Sequence, residues 1–155
     1  MGNRRMGKRS NFERVERDFY PTPSSAVLPL VDHLGDAQYF AEPMAGNGAL
    51  VDHIEQTHMT CIYKSDIEPQ REDISKRDVF QLKETDILLA DFIITNPPWT
   101  RSILHNLIPF FINIKPTWLL FDSDWLFTIQ SSELIKRCRK IVAVGRCKWI
   151  PDSKH

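Results

Sequence analysis

The chain has no long apolar run. Nothing in it approaches the roughly 18 residues that a membrane-spanning helix needs, and its first residues lack the apolar core of a secretory leader. No membrane partner is expected, and a cytoplasmic location is. Net charge is missing as well: 20 Lys and Arg balance 20 Asp and Glu. No global positive field draws in a polyanion, which weighs against tight, autonomous DNA binding. Cysteine is scarce, and Cys61, Cys138 and Cys147 are odd in number with no paired metal spacing, so reduced thiols are expected and a zinc site is not. The histidines (His33, His53, His58, His105 and His155) fall singly, and no metal site is assigned. Neither an internal repeat nor a low-complexity block is present. What remains, 42% hydrophobic and 26% charged over 155 residues, is the composition of one ordinary globular domain with a single sizeable core.

The stretch that stands out is Phe92-Ile93-Ile94-Thr95-Asn96-Pro97-Pro98-Trp99. It opens as a short apolar run of the kind that forms a buried strand, then stops at an amide, two prolines and an indole. Neither proline has an N–H and each is fixed in φ, so the chain leaves the sheet in one restricted shape. Asn96, directly before a proline, is pushed toward extended backbone. Such a strand end presents two acceptors, the Asn96 side-chain oxygen and the Pro97 carbonyl, to the two N–H groups of an exocyclic amine. Trp99 can stack on the attached ring, an interaction worth roughly 1–3 kcal/mol per base. The plainer alternative is a Pro-Pro turn that closes a strand, with Trp99 in the core.

Asn96-Pro97-Pro98-Trp99 resembles the (Asn/Asp/Ser)-Pro-Pro-(Tyr/Phe/Trp) motif of class I methyltransferases that modify amino groups with S-adenosylmethionine (SAM). DNA adenine-N6 methyltransferases are the largest such group. The resemblance implies catalytic roles for Asn96, Pro97, Pro98 and Trp99, with Asn96 also at the cofactor. Other motifs follow in the family's order. Asp18-Phe19-Tyr20-Pro21-Thr22-Pro23 resembles the N-terminal motif of small, often phage-type, adenine methyltransferases, which implies that Tyr20, Thr22 and Pro23 contact the methionine end of the cofactor. Glu42-Pro43-Met44-Ala45-Gly46-Asn47-Gly48-Ala49-Leu50 resembles the first motif, with Glu42, Ala45, Gly46 and Gly48 at the cofactor.

Two glycines one residue apart let backbone approach a ligand closely. A carboxylate beside them suits the sulfonium and ammonium of SAM rather than a phosphate. Asp66, roughly 24 positions after Glu42 at the end of a second strand, is placed to accept ribose hydroxyls, as in nucleotide-binding α/β folds, with Ile67 beside the cofactor adenine. Ribose binding is the preferred reading; an Asp66 that caps the turn Ile67-Glu68-Pro69 is the alternative. Asp78-Val79-Phe80 resembles the third motif, where Asp78 accepts from the adenine amine and Val79 packs on the ring; a solvated Asp is the alternative.

Read in order, residues 1–17 form a basic tail poor in apolar residues, either a solvated, disordered terminus or a segment that tracks phosphates. Residues 18–155 form the single methyltransferase domain. A helix is expected over 26–34, capped by Ser24 or Ser25 and ended by Gly35. Strands are expected over 38–41, 60–65, 92–95, 117–121 and 141–144. Helices are expected over 47–56, 82–89, 103–112 (kinked or cut short by Pro109) and 133–140. The polar stretch 68–77 reads as loop or short helix. Asp122 and Trp125 could border the base pocket, although a capping Asp and a core Trp is the preferred reading. Gly145–Pro151 is basic and aromatic, suiting either phosphate contact or a closing strand.

The alternation of strands and helices predicts an α/β, Rossmann-like doubly wound sheet. The family's last antiparallel hairpin strand would lie beyond His155 or be missing. The activity that the resemblance implies is methyl transfer from SAM to the N6 amine of an adenine flipped out of DNA, with oligomeric state, recognition site and biological role left open. Three rivals remain: methylation of an RNA base, methylation of a protein glutamine amide, and a non-catalytic SAM-binding protein.

Overall fold

The computed structural model describes residues 20–149. The expected basic tail over 1–17, Asp18 and Phe19 of the N-terminal motif, and the chain end from Ile150 to His155 lie outside the described residues. The described chain is an α/β domain built on five parallel strands. In chain order it runs α1 (Ser24–Val31), β1 (Tyr39–Glu42), α2 (Ala49–Glu55), β2 (Thr60–Asp66), β3 (Ser75–Lys76), β4 (Phe92–Thr95), α3 (Arg101–Ile112), β5 (Thr117–Leu119) and α4 (Ser132–Ile135). The strand order is β3-β2-β1-β4-β5, with every pairing parallel. The order reverses between β1 and β4, the arrangement that in doubly wound folds leaves a crevice at the carboxyl ends of the strands. It is compatible with a Rossmann-like fold.

Alternation along the two central strands explains why both faces are covered. Phe40 and Ile94 turn to one face, where Val27 of α1 and Leu50, Val51 and Ile54 of α2 bury them. Ala41 and Ile93 turn to the other, against Leu107 and Phe111 of α3 and against Ile87. Successive strand residues point to opposite faces, and a parallel sheet needs both faces dry. Each large apolar side chain so buried is worth about 1.5–3 kcal/mol. At the amino-terminal edge the Asp91 carboxylate accepts from Gln38 N and Tyr39 N at 2.8 and 2.9 Å. Those donors, Tyr39 N first, hold its pKa below the ordinary carboxylate range.

Several expected boundaries shift, each for a local reason. Helix α1 begins at Ser24 with Pro23 as its N-cap, and neither serine side chain caps it; Pro23 O accepts from Ala26 N at 3.0 Å. Gly35 sits beyond the cap residue Asp32, in a later turn at φ +60°. Helix α3 runs through Pro109 to Ile112 because Leu107, Ile108 and Phe111 are buried around the proline. That packing outweighs one missing backbone bond.

In place of the helix expected over 82–89 stands a short 3₁₀ turn, Glu84–Ile87, the second of a pair after Val79–Gln81. In the second only Ile87 is buried, while Leu88 and Leu89 stay exposed. Residues 75–76, expected as loop or helix, pair with β2 as the edge strand β3, anchored by buried Ile74. Helix α4 stops at Ile135, because the next residues, Lys136-Arg137-Cys138-Arg139-Lys140, offer no apolar face to bury. The strand expected over 141–144 is irregular backbone. Ile141 is 65% exposed, and β-branched side chains hold a strand only where a surface takes them up. Among the described residues the sheet therefore has no antiparallel strand, and no helix is long and apolar enough to cross a membrane.

Candidate active site

The carboxyl ends of β1, β2, β4 and β5 open onto one cleft of about 1210 Å³. That exceeds the roughly 300–1,000 Å³ of a typical single-ligand site. All the residues singled out in the sequence line it except Pro23 and Gly48: Tyr20 and Thr22, Glu42, Ala45 and Gly46, Asp66 and Ile67, Asp78 and Val79, and Asn96 to Trp99.

The first half of the cleft is made by the turn after β1. Glu42 is the last residue of the strand and only 1% exposed. Its Oε1 accepts from Met44 N at 2.8 Å. Burial pushes its pKa up to about 8. Thr95, Met44 N and Asn96 N oppose that rise while the charge of Asp66 adds to it. Thr95 Oγ1 closes no hydrogen bond of ordinary geometry, so the Met44 N–H is the firmer opposing contact.

The turn continues through Gly46 at φ +55° and Gly48 at φ +82°, left-handed conformations that cost other L-residues about 1–2 kcal/mol. The two glycines differ in what they face. A side chain on Gly46 would meet nothing within 4 Å, so the backbone there is open to the cleft; a Cβ on Gly48 would lie 2.5 Å from the Arg71 guanidinium. Gly48 thus makes room for Arg71 behind the turn. Pro23, likewise away from the cleft, shapes the entry to α1.

Asp66 ends β2 and is buried. Its Oδ2 accepts from Gly46 N and its Oδ1 from Glu68 N, both at 2.8 Å. The turn-capping role considered for it is present, and the same carboxylate fixes the glycine turn from β2. Each oxygen keeps a second lone pair for a ligand. Ile67 beside it is 53% exposed on the cleft wall. Asp78 caps the turn at Phe80 N (2.9 Å) and lines the cleft.

The electrostatics of this half are one-sided. Among the described residues, Glu42, Asp66 and Asp78 line it and no Lys or Arg does. Arg71, the nearest guanidinium behind the turn, is held by Asp52 and Asp73 at 2.7 and 2.6 Å. The Asp73 carboxyl, bonded by Arg71 and then by Lys64, sits well below the usual carboxylate range. A polyphosphate would find no counter-charge here; a cationic ligand would.

The second half is built around Asn96, at the end of β4. Its Nδ2 donates to Thr22 Oγ1 at 3.1 Å, and its Oδ1 accepts from Trp99 Nε1 at 3.2 Å. These contacts fix which way the amide points and leave one Oδ1 lone pair. Trp99 Nε1 is shared with Leu120 O at 3.2 Å, tying the loop to the end of β5. Thr22 is 7% exposed, and its carbonyl meets His53 Nε2 of α2 at 3.0 Å. Asp122 caps the turn Ser123–Phe127 through Asp124 N. Trp125 is 6% exposed, donating from Nε1 to His105 Nε2 at 2.8 Å. The capping Asp and core Trp are therefore present, and both residues also border the cleft.

Three further lining residues have no sequence pattern that assigns them to a site. Arg101 at the start of α3 and Phe121 after β5 stand on the cleft wall. Trp149 meets Trp99 edge to face at 5.4 Å between ring centres. Of these, Arg101 carries a local signal in its position two residues past Trp99, and Trp149 stands in the basic, aromatic stretch Gly145–Pro151; Phe121 carries none. Compared with protein families, with curated proteins and with solved structures, the chain matches none.

Proposed function

We propose that the protein is a SAM-dependent methyltransferase of the class I kind that acts on the N6 amine of adenine in DNA. The observation that carries this reading is the pairing of two unlike half-sites in one cleft. On one side a glycine turn opens among carboxylates with no cation; on the other an amide oxygen stands fixed at a strand end, followed by two prolines and an indole.

The residues fit the cofactor by charge. Glu42, Asp66 and Asp78 face a ligand that carries a sulfonium and an ammonium, Gly46 admits it closely, and Ile67 and Val79 offer apolar surface to its adenine. Asp66 has lone pairs for the ribose hydroxyls, and Tyr20 and Thr22 close over the methionine end. SAM supplies an activated methyl group on sulfur. What the protein adds is alignment, which can supply about 7–11 kcal/mol.

Asn96 Oδ1 and the Pro97 carbonyl accept the two N–H groups of the target amine, directing its nitrogen lone pair out of ring conjugation. Thr22 and Trp99 keep the amide from rotating, Pro98 holds the loop, and an indole wall borders the ring. The aligned nitrogen would take the methyl from bound SAM, the S–CH₃ bond breaking as the N–CH₃ bond formed, and the amine proton would leave to solvent. An adenine in a duplex reaches this loop only when flipped out, at a cost of a few kcal/mol.

The test is incubation with SAM and mixed-sequence duplex DNA, with N6-methyladenine measured by mass spectrometry beside an Asn96→Ala control. The expected outcome is methyladenine that falls at least 10²–10³-fold in the variant, the range for losing one aligned polar group at a reacting centre, with SAM affinity retained. SAM binding without a modified base in DNA would overturn the DNA assignment and redirect the search to RNA bases and glutamine amides. Equal loss of SAM binding and transfer in Asn96→Ala would remove Asn96 from the reacting centre.

A further inference from the structure

Among the described residues, the cleft that accepts a base has almost nothing to hold the backbone attached to it. Of those that line it, Asp66, Asp78, Asp122 and Asp124 stand against Arg101 alone, with buried Glu42 holding its proton below about pH 8. Phosphates are repelled from such a surface, so a polynucleotide whose base enters must be held outside it.

One described segment has the opposite charge. Residues 136–149 carry Lys136, Arg137, Arg139, Lys140, Arg146 and Lys148 with no Asp or Glu among them, in a chain whose net charge is zero. Lys136 is engaged by Glu133 at 2.7 Å; the other five make no ion pair among the described residues. From Cys138 to Lys148 the backbone is in neither helix nor strand, so the segment is an irregular arm rather than part of the sheet. The arm ends at the cleft, where Trp149 lines the wall and meets Trp99. Lys148 and Arg146 are thus one and three residues from the catalytic loop's indole partner.

Resting on the nucleic-acid reading above, we infer that this arm is the phosphate-binding surface of the protein. Arg137, Arg139, Lys140, Arg146 and Lys148 bind the backbone of the nucleic acid whose base occupies the pocket beside Trp99. Each phosphate neutralised releases condensed counterions, so the affinity of such a surface depends steeply on salt. The shared ligand chemistry is the phosphodiester chain, and the geometry of the proposed reaction favours duplex DNA as its source.

Fluorescence anisotropy of a labelled DNA duplex, titrated with full-length protein and SAM over a salt series, tests the arm without reference to methyl transfer. Replacing all five unpaired cations by Gln should weaken binding roughly a hundredfold at low salt. It should also flatten the log affinity–log salt slope by about 0.9 for each phosphate no longer neutralised. A variant with Lys at the three arginine positions should keep the slope, and Lys136→Gln should change it little. SAM affinity should stay constant throughout, which shows that the domain is intact.

An unchanged slope in the five-Gln variant, or no binding of any of the nucleic acids tested by the natural chain even at the lowest salt, overturns the inference. Single-stranded DNA and RNA of equal length are run in parallel: arm-dependent binding to either upholds the phosphate-binding role while changing its source. Arm-dependent binding without any methylated base leaves the arm standing and removes the proposed reaction. Methyladenine formation with an arm-independent slope does the reverse.

Discussion

On the β1–β2 side of the cleft, the wall is made by residues close together in sequence and held by backbone hydrogen bonds to buried carboxylates. Glu42 holds Met44 N, and Asp66 holds Gly46 N and Glu68 N. On the β4–β5 side, the wall is made by side chains that come from far apart. Asn96 is oriented by Thr22, 74 positions away, and by Trp99, which also reaches Leu120 and Trp149. The first half is a rigid turn whose shape depends on φ. The second is a side-chain network whose shape depends on three segments meeting. The two halves should therefore fail differently when altered: the first by losing a ligand, the second by losing alignment while the ligand still binds.

The glycines give the largest expected effect. Gly46→Ala forces a Cβ into a left-handed position open to the cleft. Stability should fall by about 1–2 kcal/mol, and SAM affinity by roughly a hundredfold or more, since a turn that needs close backbone approach tolerates no side chain. Gly48→Ala carries the same backbone strain but meets Arg71, away from the cleft. It should destabilise the domain as much or more while SAM affinity changes little at a temperature where the domain stays folded. Calorimetric SAM titrations of both variants, each with a thermal melt, separate the two. Equal losses of SAM affinity would erase the distinction between a glycine that faces the ligand and one that faces Arg71.

The side-chain network is tested by Thr22→Val, a near-isosteric change that removes the acceptor of Asn96 Nδ2. Without it the amide is held only through Trp99, and methyl transfer should drop about tenfold, the factor that corresponds to roughly 1.4 kcal/mol of weakened alignment. Thr22→Ser should restore most of the rate. Single-turnover rates, measured with SAM saturating, isolate this from any change in cofactor affinity. A Thr22→Val rate equal to that of the natural chain would mean that Trp99 alone orients Asn96.

How much of this is readable from the residues depends on distance along the chain. The turn after β1 and the strand ending at Thr95 are local patterns, a glycine pair after an apolar run and two prolines after another, and each appears in the structure within a residue or two of its expected place. The lining role of Thr22 is legible in its motif, but its bond to Asn96 is not, because no local rule joins positions so far apart. Gly48 shows the converse. It stands in a motif where both glycines read as ligand-facing, yet the second serves Arg71, a side chain whose position only the folded chain reveals.

The departures after β5 have one cause. Residues 133–144 carry helix and strand propensities, but few of their side chains find a surface to bury, with Ile141 65% exposed, so propensity alone decides nothing there. Trp149 is visible as an aromatic in a basic stretch. Its contact with Trp99 is not.

The smallest of the expected effects concerns protons, and it lies wholly in the first half. Glu42 is buried at the cleft floor, and desolvation raises its pKa to about 8 from an ordinary value near 4.5. Between these values the folded protein holds a proton that the unfolded chain has released. Stability from this group is thus fully present below about pH 4.5, declines through the interval, and is lost as pH rises through about 8. The apo protein should melt at a lower temperature at pH 9 than at pH 6. Glu42→Gln, which keeps the Oε1 acceptor for Met44 N and cannot ionise, should flatten that part of the profile.

A cationic ligand reverses the sign of the preference, because a positive charge beside Glu42 favours its ionised form. SAM binding below pH 8 should therefore release a proton into solution. Titration calorimetry at pH 7 in two buffers of different ionisation enthalpy measures that release directly. The released fraction should disappear in Glu42→Gln. Proton release that persists undiminished in the variant would mean that Asp66 or another group, rather than Glu42, answers the ligand's charge, and that the carboxylate buried at the end of β1 serves the turn alone.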